Sequence, residues 1–254
     1  RALSTMVSAL NDFIPRGRGQ SLYLRPTMFG LDPHFAVHGS NNFAFLLIAS
    51  PSDAYYAKPI RVMIERENSR AASGGTGAEK VGGNYGASLL ANENCVAHDF
   101  DQSLWLDPAT HTNIEELSAM KCMAVIEGEL HTPALSGSLL DGVTRNSLLQ
   151  IASGLGMRTR ERSMPVEDLL LDIKSGRCSE LFACGTGAIV APIGVVGEAS
   201  GAKLELAQVN ETAARLRDAL LDIQEGKADD KFAWVISAAD AAKLAGFLEN
   251  GVTR

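Results

Sequence analysis

Apolar residues recur at helical spacing through residues 2–14, "ALSTMVSALNDFI", and the run stops at Pro15, which predicts a short helix. "SLYLRP" and "NFAFLLIAS" have the apolar, β-rich signature of strands, and the second is apolar enough to be buried on both faces. "PIRVMIE" predicts a third strand. The pattern then breaks. "RENSRAASGGTGAEKVGGNYG" is polar and glycine-rich without periodicity, the mark of a linker or a functional loop between two subdomains.

Beyond it, "ASLLANENCVAH" predicts a helix, "SLWLD" a short strand, and "KCMAVIEGELHTP" a hairpin turning at Glu127-Gly128. "DGVTRNSLLQIASGLG" and "PVEDLLLDIKSG" predict helices, the second opened by Pro165 and closed by Gly176. "ELFACGTGAIVAPIG" is an apolar strand interrupted by Cys184-Gly185-Thr186-Gly187. "NETAARLRDALLDIQEG" predicts a long amphipathic helix, and "SAADAAKLAGFLENG" a last one with Ser237 as N-cap. Strands mixed with helices without strict alternation predict an α+β fold.

Composition narrows the function. The chain of 254 residues suits one large domain or two modest ones. Its formal net charge of −7 argues against broad nucleic-acid or anionic-membrane binding, which need a basic face. No apolar run reaches the ~18–20 residues of a membrane span. The four cysteines, Cys95, Cys122, Cys178 and Cys184, form no CxxC pair, which predicts reduced thiols in a cytosol-like compartment. The opening Arg1, followed at once by a helical pattern, suggests that the natural N-terminus lies upstream.

Lys80, in "EKVGGNYGAS", sits where a phosphate loop would be sought. The P-loop template fails, because Lys80 follows Glu79 and precedes Val81. There is no G-x-G-x-x-G after a strand and no G-x-S-x-G elbow, and the five histidines are scattered, so no metal site is expected. Two glycine-flanked turns remain. "GVTRN" can offer backbone N–H groups and the Thr144 hydroxyl to an anion, and "CGTG" can do the same around Thr186. With one lysine in a flexible loop, these would suit a phosphorylated cofactor that forms an imine, of which pyridoxal phosphate is the usual example. On composition and spacing alone, a solvated Lys80 and ordinary cap or turn roles for Thr144 and Thr186 stay open.

Taken in order, "SLYLRP", "KVGGNYGASLLA", "IEELSAM", "TPALSGSLLDGVTRNSLLQIA", "FACGTGAIVAPIG" and "RLRDALLDIQEGKADDKFAW" resemble the branched-chain amino-acid aminotransferases, fold-type IV pyridoxal-phosphate enzymes. The likeness runs from about residue 2 to about residue 235. It implies the α+β, two-domain fold of the D-amino-acid aminotransferase-like class, with the N-terminal small domain incomplete. Residues 1–66 would be the remainder of that domain, 67–78 the interdomain loop, 79–236 the large cofactor-binding domain, and 237–254 a helix outside the likeness. The active site would lie between the domains.

The resemblance also implies roles. Lys80 matches the lysine that carries pyridoxal 5'-phosphate and moves a proton at the substrate α-carbon. Tyr85 matches the tyrosine that hydrogen-bonds the cofactor's phenolic oxygen, and Glu116 the carboxylate facing its ring nitrogen. Val143, Thr144 and Thr186 match the phosphate contacts. Gly187 and Ala188 match the turn that receives the substrate carboxylate, while Tyr23 and Arg25 match the pocket lining, Arg25 serving glutamate. The implied reaction is ping-pong transamination of Leu, Ile or Val with 2-oxoglutarate in a cytoplasmic homodimer, or a mitochondrial one in a eukaryote. Its partners would be small amino-acid and 2-oxo-acid substrates, not nucleic acid or membrane. Within the class the runners-up are a D-amino-acid transaminase and an aminodeoxychorismate lyase; a non-catalytic relative is the alternative of another kind.

Three departures stand out. The family's phosphate-clamping arginine lies upstream of Arg1. Lys121 stands where the family usually has Asn, and it would either compete for Glu116 or point to solvent. "MKCMAV" is less aromatic than the family's segment.

Overall fold

Helix α1 (Ala2–Ala9) forms where the apolar spacing predicts and runs into a 3-10 turn at Asn11–Phe13. In this computed structural model the residues described are 1–53, 58–207, 210–237 and 240. Of the helix expected from 237 onward only Ser237 and Asp240 are described, and the Ser237 hydroxyl accepts the Asp240 backbone N–H at 3.0 Å, the bond of an N-cap; the rest lies outside the described residues. Strands β1 (Ser21–Gly30) and β2 (Phe43–Ser52) pair antiparallel in a two-stranded ribbon, with Ser21 opposite Ser52 and Gly30 opposite Phe43. This corrects the expectation that β2 is buried on both faces. Phe43, Phe45, Leu46 and Ile48 are each about half exposed, because a ribbon of two strands offers no central position and no second layer among the described residues covers these side chains.

The remaining strands form one nine-stranded mixed sheet. They are β3 (Ile60–Glu65), β4 (Gln102–Leu106), β5 (Ile114–Leu117), β6 (Lys121–Ile126), β7 (Glu129–Pro133), β8 (Thr159–Arg162), β9 (Cys178–Gly185), β10 (Ile189–Gly197) and β11 (Lys203–Glu205). The order is β5-β4-β3-β10-β9-β6-β7-β8, with β11 also on β10. Strand β10 joins two halves. Its first residues, from Ile189 to Pro192, pair antiparallel with β9; from Ile193 on it runs parallel to β3, with a register shift between Ile193 and Val195. The β6–β7 hairpin turns on Glu127 and Gly128 as the sequence predicts, both at positive φ (51° and 78°), the backbone of a tight two-residue turn.

Among the described residues there are four further helices: α2 (Gly83–Ala97), α3 (Val143–Gly154), α4 (Val166–Ser175) and α5 (Glu211–Gln224). Helix α4 starts after Pro165 and ends at Gly176, whose φ of 74° is the left-handed cap that glycine supplies at no steric cost. Helix α5 begins on the Glu180 carboxylate, which accepts the backbone N–H groups of Thr212 and Ala213 at 2.8 and 2.9 Å. The sheet core includes Leu104, Leu117, Cys122, Leu181 and Ala183, all essentially inaccessible. Each large apolar side chain buried this way contributes about 1.5–3 kcal/mol.

The chain divides into two compact units, Arg1–Tyr55 with Ile223–Arg254, and Tyr56–Asp222. Strand β3 belongs to the second, since it pairs with β4 and β10 in the large sheet, whereas the sequence reading draws its boundary after residue 66. Among the described residues no helix is long and apolar enough to cross a membrane.

Candidate active site

The polar segment after β3 is an ordered loop. Asn84, at the start of α2, folds back to hold it: its Nδ2 donates to the carbonyls of Thr76 (2.7 Å) and Glu79 (2.8 Å), and its Oδ1 accepts the Thr76 hydroxyl at 2.7 Å. These bonds fix the chain immediately before Lys80. The ammonium of Lys80 lies 5.8 Å from the centre of the Tyr85 ring, one helical turn further on, within reach of a cation–π attraction.

Lys80 and Tyr85 line a cavity of about 350 Å³ in the second compact unit, together with Glu116, Val143, Thr144 and Thr186. Six residues singled out from the sequence thus share one concavity of the size that takes a small organic ligand. Thr144 stands at the start of α3. The N-cap there is Gly142, whose extended backbone (φ −82°, ψ 125°) brings no side-chain oxygen to the first-turn N–H groups. A helix opening into a cavity without a side-chain cap is a ready anion site. Thr186 sits in the turn between β9 and β10. Gly187 and Ala188 follow it, and Ile189 closes the turn at φ 60°, a costly conformation for a β-branched residue. Tyr23 and Arg25 lie on β1, in the other unit, where Arg25 donates to the Tyr23 hydroxyl at 3.0 Å.

Glu116 is buried on β5, and both of its oxygens are engaged. Arg70 Nη2 stands 2.6 Å from Oε1, and Lys121 Nζ donates to Oε2. Of the two courses open to Lys121, it takes the one that competes for Glu116. The sequence reading missed Arg70 altogether, and its position inside an aperiodic loop gave no signal. Arg70 also donates to the carbonyls of Gly77 (3.1 Å) and Ser138, so it ties the Lys80 loop to the segment before α3. Glu115, pointing the other way from β5, accepts the hydroxyls of Ser136 (2.8 Å) and Ser138. Arg145, on α3, is a further buried cation of the cavity wall, with its Nη2 on the Pro133 carbonyl (3.0 Å) and on Glu161 (2.5 Å).

The cavity wall therefore brings four cations, Arg70, Lys80, Lys121 and Arg145, against three carboxylates, Glu79, Glu116 and Asp141. Burial pushes the Lys121 ammonium down to about 7, with Arg70, Arg145 and Lys80 pushing the same way and Cys184 opposing. The hydrogen bond to Glu116 also favours the charged form. Burial pushes the Cys184 thiol up to about 12, so it stays a neutral, inert packing group. The Nε donors of Arg70 and Arg145 are buried with no hydrogen-bond partner. Uncapped helix N–H groups and threonine hydroxyls fit a ligand that carries a phosphate. Glu116, in the same cavity lining, is held by two cations.

Residues 2–196 match the family described as Amino-transferase class IV. The chain is 38% identical over 237 residues to the probable branched-chain-amino-acid aminotransferase of Staphylococcus epidermidis; the match covers 91% of this chain but 66% of that protein. The chain thus spans just under two thirds of that relative's length. Among solved structures, the branched-chain amino acid aminotransferase of Escherichia coli superposes with a TM-score of 0.70 at 26% identity, covering 86% of this chain and 69% of that one. The branched-chain aminotransferase of the thermophilic archaeon Thermoproteus uzoniensis, solved with norvaline, gives a TM-score of 0.76 at 23% identity, covering 93% and 74%, and shows the shared fold. A T.th. branched-chain amino acid aminotransferase, solved in complex with N-(5'-phosphopyridoxyl)-L-glutamate, gives the same TM-score of 0.76 at 24% identity, covering 93% and 73%. The chain belongs to the class IV aminotransferase family, with branched-chain-amino-acid aminotransferases among its relatives.

Proposed function

We propose that the chain carries the cofactor-binding part of a pyridoxal 5'-phosphate-dependent transaminase that takes the amino group from Leu, Ile or Val and passes it to 2-oxoglutarate. The observation that carries this reading is the convergence of Lys80, Tyr85, Glu116, Thr144 and Thr186 on one cavity, inside a chain of the class IV family. The names of the relatives support the branched-chain donor, and the phosphopyridoxyl-glutamate complex of the T.th. enzyme supports both cofactor and co-substrate.

In this reading the cofactor supplies an electron sink for the charge left on the substrate α-carbon. The protein does the rest. Lys80 provides the amine that holds the cofactor and moves the α-proton. Val143 and Thr144 at the α3 start, with Thr186, anchor the phosphate. The Tyr85 hydroxyl serves the phenolic oxygen, and Glu116 faces the ring nitrogen. The N–H groups of Gly187 and Ala188 receive the substrate carboxylate. The working enzyme is a cytoplasmic homodimer.

Absorbance of the protein incubated with pyridoxal phosphate, before and after L-leucine, tests this against Lys80→Ala. A visible band that bleaches with leucine and is absent in the variant is the expected result. A band that ignores leucine but answers another amine overturns the substrate, and a colourless protein overturns the enzyme.

A further inference from the structure

Lys121 occupies an unusual place in the cavity wall. Its side chain is about as buried as that of Glu116, each 7% exposed, and its stem runs past the start of α3. A methyl group placed on Gly142 would stand 3.3 Å from Lys121 Cγ and 3.5 Å from Cε, so the glycine at the helix cap leaves room for the lysine. The side chain thus reaches from the anion-binding helix start to the carboxylate on β5. There it takes one oxygen of Glu116 while Arg70 takes the other.

We propose that Lys121 is a positioning residue that sets the charge Glu116 presents to the cofactor's ring nitrogen. This rests on the cofactor reading above. A carboxylate held by one cation is neutralised as a pair; held by two, the group carries a net positive charge. Glu116 keeps lone pairs free to accept from a ring N–H, but the surrounding charge then opposes ring protonation. Removing the charge of Lys121 leaves Glu116 with Arg70 alone and lets the ring nitrogen hold its proton more firmly. For neighbouring unit charges at this range the protonation equilibrium changes roughly 10- to 1000-fold.

The state of Lys121 is set by groups on every element around it: Glu116 on β5, Arg70 and Lys80 on the loop before α2, Arg145 on α3 and Cys184 on β9. Burial and the three neighbouring cations weaken the hold of Lys121 on its proton, and the bond to Glu116 strengthens it.

The test is the ¹⁵N chemical shift of ring-¹⁵N pyridoxal phosphate bound to the wild type, Lys121→Asn, Lys121→Gln and Lys121→Arg, each checked first for the visible band. Lys121→Gln serves if Lys121→Asn fails to fold. The expected result is an upfield, more protonated ring nitrogen in the neutral variants, with Lys121→Arg close to wild type. Superimposable shifts in wild type and the neutral variants overturn the role of Lys121 while leaving the cofactor reading intact. Absence of the band in wild type and all variants overturns both.

Discussion

Arg70 Nη2 lies 2.6 Å from Oε1 of Glu116, bringing a residue of the glycine-rich loop against a strand on the far side of α2 and β4 in the chain. Both side chains are largely buried, at 9% and 7% exposure, so the contact is made out of reach of screening salt. The loop that positions Lys80 is held by this ion pair from one side and by Asn84 from the other. The electrostatics of Glu116 and the placement of Lys80 are therefore coupled through one arginine.

Arg70→Met removes that coupling. Breaking a buried pair usually costs about 3–5 kcal/mol, but Lys121 remains on Glu116, so a loss of about 2–3 kcal/mol is expected. Denaturant unfolding measures it, and limited proteolysis should show cleavage within residues 66–82 that the wild type resists. Unchanged stability would mean that the ion pair holds nothing together.

Thr144→Ala removes the hydroxyl at the uncapped start of α3 while keeping the helix. Loss of one hydrogen bond to a charged group corresponds to about 1–2 kcal/mol, or roughly a 5- to 30-fold weaker dissociation constant for pyridoxal phosphate. Quenching of intrinsic fluorescence by the cofactor reads this directly. Equal affinity would place the phosphate elsewhere.

Glu180→Ala uncaps α5. The N–H groups of Thr212 and Ala213 lose a buried carboxylate acceptor, at an expected cost of about 1–2 kcal/mol. The helical signal in circular dichroism should fall at a lower temperature, whereas Glu180→Gln, which keeps one acceptor, should recover part of the loss.

Glu225 gives a pH dependence. Hydrogen bonds from Lys227, from the Gly19 backbone and from Arg18 pull its carboxyl from 4.5 down to about 2. A depressed carboxylate stabilises the fold above its unfolded value and loses that contribution as pH falls, here between 4.5 and about 2. Glu225→Gln should flatten the acid limb of the stability profile in that window and leave the neutral region's slope unchanged. An acid limb identical to wild type would remove Glu225 from the account.

What could be read from the chain alone was whatever neighbours in sequence decide. Period and punctuation located α1, α4 and α5, and the Glu127-Gly128 turn, because helix spacing, Pro165, Gly176 and positive-φ residues act within a few positions. The candidate residues Lys80, Glu116, Thr144 and Thr186 were legible because the motifs around them are contiguous. Strands β5 and β8 escaped for the opposite reason. "IEEL" and "TRER" look solvated, and β5 is buried only because Arg70, Lys121, Ser136 and Ser138 come from elsewhere to satisfy Glu115 and Glu116. Strand β2 was misjudged because burial depends on what covers a strand, and its own apolar side chains cannot report that. The same holds for the site. Sequence could name Glu116 and note the odd lysine at 121, but only the tertiary structure decided that two cations share one carboxylate, since hydrogen bonds form between surfaces that folding brings together and not between positions in a string.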